Sequence, residues 1–408
     1  MKIHFDNLFA DFGHVSLNKK KESLCGDFYI TEERGSDTVL VLSDGLGSGV
    51  KANILATLTA KMLCTMMIKK LPLDDAVEAI AKTLPVCRVR NMAYSTFTAL
   101  KISGRQAYLA QYDNPGAILL RDGRSVEYPE TSHSIKEKEI REAELTLQKD
   151  DVLILMSDGV TNAGMGKTTN GGWGREDVVR FCEQKYKKEM SAQQLAAHIA
   201  SACVDLNLDE TDDDITVLVI KLCERAVTNL MIGPPSQMEK DEAFLKLFFA
   251  SPGKHIVCGG TTAKFVADHL GEELVSLDDT RCDEVPAMSA LKGVDLVTEG
   301  LLTIRRLNIY ANRYLKDGLA VLGFGRKKDA AARLLEELFE NSTDIRIFFG
   351  NARNPANTEL HIDAGEKLRL TYHLKDCLEK AGKKVKMKIK QGNKYRKKRK
   401  RKQKIPKM

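Results

Sequence analysis

Four acidic sites in the first half of the chain combine the residue types and surroundings that metal-dependent chemistry needs. They are Asp27 in CGDFY, Asp44 in LSDGLGSG, Asp158 in LMSDGV, and Asp213 with Asp214 before ITVLVI. Asp44 and Asp158 each follow an apolar run and precede a glycine, which predicts a position at the end of a buried strand. A carboxylate at the edge of a dry core is stabilised when a divalent cation balances its charge. Oxygen ligands without histidine or cysteine favour Mg²⁺ or Mn²⁺ over zinc.

Two such ions have a defined chemical use. About 3.5–4 Å apart, they can hold a hydroxide between them and neutralise both ends of an in-line phosphoryl displacement. The glycines after Asp44 and Asp158 remove side-chain bulk, so that backbone carbonyls and waters can approach the metals. A single Asp-Gly is more often a turn, and Asp122-Gly123 is interpreted in that way. The ordered set of four sites favours a metal centre.

Alternating strands and helices must position these acids. Segments such as DFYITEE and TVLVLSDG are short and β-branched, as is typical of strands. After SDGLGSG the period changes, and an apolar residue recurs every fourth position to predict an amphipathic helix of about five turns: Val50, Ile54, Leu58, Met62 and Met66. A second helix follows up to residue 84. Strands grouped around helical segments indicate packed sheets with helices outside, rather than a repeated βαβ unit.

These motifs carry a family resemblance over residues 1–223. GDFY, SDGLGSG, YSTFTAL, DNPGAILLRDG, DVLILMSDGVTNA and DDDITVLVI resemble, in order and spacing, the metal-dependent protein phosphatase superfamily (PPM) and its bacterial SpoIIE-like serine phosphatase branch. The resemblance implies an αββα sandwich with two metals between the sheets, and a helix pair at 48–84 that switches activity through a partner or adjoining domain. One departure is Asn162, which replaces the acid of the usual TDGVTEA.

The resemblance also assigns roles to individual residues. Asp44 would bridge both metals, the Gly45 carbonyl would help to hold one, and Asp27 would act mainly through water. Asp158 and Asp213 would complete the second site, so that the catalytic set is Asp44, Asp158 and Asp213. Asp213 is preferred to Asp214 because the family's ligand is the first acid of the pair. The regulatory helix would be the one that carries Val50, Ile54 and Leu58.

From about residue 225 the rhythm changes to strand–loop–helix units of α/β type, as in KHIVCGG followed by TTAKFVADHLG. We expect a second domain over 237–382, separated from the first (1–224) by a linker that contains Gly233-Pro234-Pro235. The residues Gly259, Gly260, Thr261 and Thr262 join a strand to a helix and could hold an anion on backbone N–H groups, although a bland turn needs the same residues. VTEG at 297–300 and GNARNPAN at 350–357 would end two further strands and, if all three converge, would line one ligand crevice.

Charge separates the C-terminus from the rest. Residues 383–407 contain fifteen Lys and Arg and no acid, so the remaining chain, from a total of +7, carries −8. A basic tail over 383–408 could bind RNA, DNA or an acidic partner, or be merely solvated. Its first residues, VKMKIK, alternate and could form an edge strand, whereas disorder is expected from 391 onward. Nine dispersed cysteines without a CxxC pair argue against a zinc ribbon or a disulfide framework.

Together the patterns predict an α+β four-layer αββα sandwich, then a smaller α/β domain and a basic disordered tail. The predicted function is a protein serine/threonine phosphatase that uses two Mn²⁺ or Mg²⁺ ions and a phosphoprotein substrate. Two alternatives stay open: a catalytically weak regulatory binding protein, and an anion- or nucleotide-sensing module centred on the second domain. No apolar run is long enough for a membrane span, and the acidic N-terminus without a signal core predicts a cytoplasmic protein.

Overall fold

The structure is a computed structural model that describes residues 8–83, 95–135, 138–235, 242–282, 285–350 and 364–390. Two compact units divide the chain. The first comprises the residues up to Glu224 together with Asp317–Leu322, and the second comprises the remainder. In the described ranges, no helix has the length and apolar character that crossing a membrane requires.

The first unit alternates strands with two groups of helices. In chain order its elements are β1 (Leu8–Leu17), β2 (Asp27–Arg34), β3 (Asp37–Asp44), α1 (Gly49–Ile68), α2 (Leu73–Thr83), β4 (Thr96–Ser103), β5 (Gln106–Tyr112), β6 (Ile118–Arg121), β7 (Arg124–Ser125), β8 (Thr131–Ile135), β9 (Lys138–Thr146), β10 (Val152–Met156), α3 (Asp158–Thr161), α4 (Arg175–Lys185), α5 (Ala192–Leu206) and β11 (Ile215–Glu224).

Two antiparallel sheets form the centre of this unit. One has the order β1-β11-β10-β6-β7 and the other β2-β3-β4-β5-β9-β8. Strand β3 shows how they pack, because successive side chains of a strand point to opposite faces. Leu40 and Leu42 join a core with Leu155 and Leu218 of the facing sheet, whereas Val39 and Val41 join a core with α1 and α2. Helix α5 covers β1 and β11 on the far side. The four layers that the resemblance implied are therefore present over this unit.

Helix α1 forms as the apolar repeat predicts, but the repeat does not mark its buried face. Its fully buried positions include Ala52, Ala56, Ala60 and Leu63. The small side chains at the first three allow the helix to lie close to the sheet. The positions that begin the repeat point outward, with exposed fractions of 55%, 52% and 41% for Val50, Ile54 and Leu58. The four-residue apolar repeat predicted the helix correctly, but the buried side is the one that carries the alanines.

The second unit begins with a strand where the sequence predicted a linker. Its elements are β12 (Val227–Ile232), α6 (Glu242–Phe249), β13 (Lys254–Cys258), α7 (Gly260–Leu270), β14 (Val275–Leu277), β15 (Met288–Ala290), β16 (Leu296–Thr298), α8 (Leu301–Lys316), the last two residues of α9 (Ala320–Phe324), α10 (Ala330–Leu335), β17 (Asp344–Gly350), α11 (Ala364–Lys380) and β18 (Lys384–Lys390).

One seven-stranded sheet organises this unit, in the order β14-β15-β16-β13-β12-β17-β18. Five strands that are adjacent in this order, β16-β13-β12-β17-β18, run parallel to one another. In chain order these five are arranged 3-2-1-4-5, so the direction of winding reverses beside β12, as in doubly wound α/β folds.

Two expected boundaries are wrong. The segment assigned to a linker contains β12, which is the central strand of the sheet because its Leu230 and Met231 are fully buried. Residues 384–390, assigned to the tail, form β18 at the sheet edge, with lysines alternating along it, which fits the edge strand that VKMKIK suggested. The expectations for residues 391–408 and for most of GNARNPAN lie outside the described residues.

Candidate metal centre

The acids predicted from the sequence are brought together where the two sheets of the first unit meet. Asp27 begins β2 and Asp44 ends β3, and the two residues pair directly across the antiparallel ladder. In the other sheet, Asp158 follows β10 and Asp213 precedes β11. These two strands are neighbours, and the Ser157 N–H donates to the Thr216 carbonyl at 3.0 Å. Four segments far apart in the sequence thus end at one edge.

Asp44 lies at the electrostatic centre of the cluster. Burial raises the pKa of its carboxyl to about 10, and repulsion from Asp27, Asp158 and Asp213 adds to the rise. A hydrogen bond with Asp158 acts in the same direction, because one of the two carboxyls must hold a proton to make it. A divalent cation could take the place of that proton and relieve the repulsion.

Asp27 has the surroundings of an incompletely satisfied ligand. Only 4% of the residue is exposed, and its Oδ2 atom is buried without a hydrogen-bond partner among the described residues. Burial raises the pKa of this carboxyl to about 7, although the nearby Thr216 and Ser157 hydroxyls lower it. An orphaned carboxylate oxygen costs free energy unless a cation or water binds it. This atom therefore fits a metal or a metal-bound water.

The structure separates the two members of the Asp213–Asp214 pair. Burial and then repulsion from Asp158 raise the pKa of Asp213, so this side chain belongs to the same cluster. Asp214 is almost fully buried, and its Oδ1 accepts a hydrogen bond from the Lys19 N–H at 2.9 Å. Asp214 thereby ties the loop before β2 to the site. Sequence reasoning gave Asp214 no role, and its adjacency to Asp213 was the only signal that could have suggested one.

Two glycines hold the site loops against neighbouring backbone. A Cβ on Gly45 would overlap the Ala52 carbonyl of α1, and a Cβ on Gly159 would overlap the Asp214 carbonyl. Glycine is therefore required at both positions by close backbone approach. Helix α1 makes a further contact, since Asn53 Nδ2 donates to the Cys25 carbonyl at 2.8 Å. The inner side of α1 is thus bound to the segments that carry Asp27 and Asp44.

The chemical types of these donors fit a hard divalent cation, although their side chains are too widely spaced to bind one as they stand. Within the described ranges, no group of three or more Asp, Glu, His or Cys side chains has the spacing that would hold a metal ion. What the site offers is four acidic side chains with mutual repulsion and one orphaned oxygen. Oxygen donors of this kind suit Mg²⁺ or Mn²⁺. The assignment of Asp27, Asp44, Gly45, Asp158 and Asp213 as ligands remains a prediction.

Comparison with known proteins bears on this part of the chain. Residues 34–222 match the family described as Stage II sporulation protein E (SpoIIE). The match confirms the resemblance stated from the sequence for the first unit, and it includes Asp44, Asp158 and Asp213 but not Asp27. A search of curated proteins finds no match.

Three solved structures are similar to the same half of the chain. The first contains the PP2C phosphatase domain and a fragment of the regulatory domain of SpoIIE from Bacillus subtilis, with 19% identity, TM-score 0.46, and coverage of 53% of this chain and 63% of that one. The second contains the RsbU and RsbW domains of a Mycobacterium tuberculosis protein, with 16% identity, TM-score 0.44, and coverage of 52% of this chain and 61% of that one. The third is RsbX in complex with magnesium, with 19% identity, TM-score 0.38, and coverage of 52% of this chain and 95% of that one. The chain thus spans less than two thirds of the length of the first of these.

The candidate residues of the second unit lie at one sheet edge. Gly259 follows β13, and Gly260, Thr261 and Thr262 form the first turn of α7. Gly259 has φ +120°, a conformation that favours glycine, and a Cβ there would lie 2.9 Å from Thr262 Oγ1. Glu299 and Gly300 follow β16, as VTEG predicted, and Gly350 ends β17. The three strand ends therefore converge as the sequence suggested they might.

Proposed function

We propose that the first unit is a metal-dependent protein serine/threonine phosphatase. The observation that carries this proposal is the cluster of Asp27, Asp44, Asp158 and Asp213, whose buried or half-buried carboxyls repel one another at the edge between two sheets. Such a cluster is stable only with protons or cations, and the SpoIIE match, which includes Asp44, Asp158 and Asp213, supports the cations. A protein substrate is inferred from the family alone.

The chain's own residues define what each would contribute. Asp44 and Asp158 would hold the ions, with the Gly45 carbonyl and Asp213 beside them, and Asp27 would orient a bound water through its free oxygen. Two Mg²⁺ or Mn²⁺ ions supply an activated water and neutralise charge on the transferred phosphoryl group. Lys19 and Gly159 act at one remove, since their backbones position Asp214 and Asp158.

Hydrolysis of a small aryl phosphate in the presence of Mn²⁺ tests this proposal. We expect the double variant Asp44→Ala/Asp158→Ala to lose about 1,000-fold in rate, because charge stabilisation by the metals contributes several kcal/mol. Asp122→Asn is the matched control: Asp122 has φ +49° in an Asp-Gly turn, which asparagine tolerates. Equal residual activity in the wild type and the double variant would refute an enzymatic role and favour a regulatory binding protein.

Regulation through α1 is part of the same proposal. The helix contacts the site with one side, through Ala52 and Asn53, and exposes Val50, Ile54 and Leu58 on the other. A partner that binds the exposed side could move the helix and thereby Gly45. We expect Ala52→Leu, which adds bulk on the buried side, to raise the Mn²⁺ concentration needed for half-maximal activity. Ile54→Gln should leave that concentration unchanged, and an equal effect of both substitutions would argue against coupling through the inner side.

A further inference from the structure

Lys367, in the second unit, carries a charge that has no carboxylate partner among the described residues. Lys367 lies in the first turn of α11, and its Nζ donates to the Gly350 carbonyl at 2.9 Å, with the Phe349 ring centroid 5.1 Å away. Within the described residues, no carboxylate is within ion-pair distance of Lys367. Its neighbour Glu366 is bonded to Arg305 Nε at 2.9 Å. A lysine amine has three donors, and one carbonyl occupies only one of them.

The position of this amine is electrostatically unfavourable for the isolated protein. Burial lowers the pKa of Lys367 to about 8. The start of a helix carries partial positive charge, so that a cation in the first turn is repelled and an anion is attracted. Removal of a charge from water without a partner costs free energy as well. An anionic ligand would offset both costs.

Glycines mark the strand ends around the amine. Gly233 directly follows β12 at φ +79°, and a Cβ there would overlap Lys367 Nζ and lie 2.7 Å from the Gly350 carbonyl. A Cβ on Gly350 would in turn overlap the Gly233 carbonyl, so the two strand ends pack together beside the amine. The Gly233 N–H donates to the Cys258 carbonyl, so that Gly259 and the start of α7 lie one strand away, about 4.8 Å. Gly233, Gly259 and Gly350 therefore follow three adjacent parallel strands at one edge. The strand order reverses here, and doubly wound sheets bind ligands at such an edge.

An acid beside this edge restricts the type of anion. Glu299 is exposed, and its Oε1 would lie 2.9 Å from a Cβ on Gly260. A carboxylate next to the α7 N-terminus disfavours a second phosphate there, but it accepts hydrogen bonds from hydroxyl groups. The edge thus offers a cation for one phosphate beside β12 and, two strands away at the end of β16, an acceptor for a sugar.

We propose that the crevice formed by Gly233, Gly259, Gly350 and Lys367 binds the phosphate of a phosphorylated sugar, free or within a nucleotide, with Glu299 accepting its hydroxyl groups. The proposal does not depend on phosphatase activity. Every residue in the crevice belongs to the second unit.

Calorimetric titration of the full chain in EDTA tests the proposal, because chelation removes the divalent ions through which the carboxylate cluster could bind phosphate. The probes are ribose 5-phosphate, AMP, inorganic phosphate and ribose. We expect saturable binding of ribose 5-phosphate or AMP, weaker binding of inorganic phosphate and none of ribose. Tighter binding of AMP than of ribose 5-phosphate would identify a nucleotide, and the reverse order would identify a free sugar phosphate.

Variants decide whether the crevice is responsible. We expect Lys367→Gln to weaken binding at least about tenfold and Lys380→Gln, an exposed lysine of the same helix, to change it less than about twofold. Glu299→Gln should reduce the preference for ribose 5-phosphate over inorganic phosphate. Thermal melts check that each variant folds. Gly260→Ala, whose backbone tolerates alanine, should also weaken binding, because the added Cβ narrows the crevice. No binding by the wild type, or equal binding by Lys367→Gln, would overturn the proposal.

Discussion

The two candidate sites of this chain both lie at strand ends, but they collect opposite charges by different means. In the first unit, antiparallel strands bring the start of β2 and the end of β3 together with the β10 and β11 ends of a second sheet, so that acids from four distant segments meet. In the second unit, parallel strands place all their carboxyl ends at one edge, together with the N-termini of helices. Under the two proposals, the first arrangement would provide a cation site and the second an anion site. Each site is costly for the isolated protein because like charges, or an unpaired charge, are held out of water.

Among single substitutions, the largest expected effect on activity concerns the backbone contact that the first site requires. Gly45→Ala would force a Cβ into the Ala52 carbonyl, moving the loop that carries Asp44. We expect an activity loss of about 100-fold, since misplacement of a reacting group by about 1 Å has this effect, and a loss of stability of about 1–3 kcal/mol. Gly171→Ala is the control, because no heavy atom lies within 4 Å of the added Cβ. Activity within a factor of about two of wild type would contradict the contact.

A second substitution measures the repulsion in the carboxylate cluster directly. Asp44→Asn nearly preserves shape but removes a carboxyl that must either bind a proton or repel its neighbours when it is buried, so that in EDTA we expect the free energy of unfolding to rise by about 1–3 kcal/mol. The same variant should lose the stabilisation that Mn²⁺ gives to the wild type. Urea unfolding with and without Mn²⁺ provides both values. If Asp44→Asn destabilises the metal-free protein, the carboxyls do not repel one another as the structure indicates.

The sequence predicted the first site better than the second, for a physical reason. Asp44 and Asp158 each have an apolar run before them and a glycine after them. These local features predict a strand end correctly because neighbouring residues determine where a strand ends. The pairing of Asp27 with Asp44 is set by sheet register, which the sequence does not show. Asp214 was missed because its role depends on a backbone contact with Lys19 across the fold.

In the second unit, local signals predicted strands and helices but not their boundaries. Residues 227–232 are a central strand, yet the nearby Gly233-Pro234-Pro235 indicated a linker, because turn residues report where a strand ends and not which domain owns it. Lys367 had no sequence signal, since one lysine in a lysine-rich chain is ordinary. Its significance arises only when α11 and two strand ends meet. The apolar repeat of α1 likewise does not mark its buried side, because the alanines, and not the larger apolar residues, pack against the sheet.

A third prediction makes the comparison between the sites quantitative. Lys367→Met keeps the length of the side chain and its contact with Phe349 but removes the charge. In phosphate-free buffer we expect unfolding of the second unit to require about 1 kcal/mol more, as the relief of a buried charge exceeds the lost hydrogen bond to Gly350. Lys380→Met, on the exposed side of α11, should change stability by less than about 0.5 kcal/mol. A loss of stability in Lys367→Met alone would instead make the lysine a structural tie for the Gly350 carbonyl.

A fourth prediction distinguishes the cost of burying a titratable group in general from the cost at the two candidate sites. His14 is a buried base of the first unit outside the carboxylate cluster, packed on Tyr29 with ring centroids 4.6 Å apart, and burial lowers its pKa to about 4. Since the unfolded chain binds this proton near pH 6.5 and the folded chain does not, stability should fall as pH decreases from 6.5 towards 4. Relative to His14→Phe, which retains an aromatic ring, we expect the wild type to lose about 2 kcal/mol between pH 7 and 4.5, by urea unfolding. The cost at His14 is relieved by deprotonation alone, so neither Mn²⁺ nor ribose 5-phosphate should alter it. If Mn²⁺ or ribose 5-phosphate changed the difference in pH-dependent stability between wild type and His14→Phe, these ligands would offset the cost of buried charge outside the two candidate sites as well.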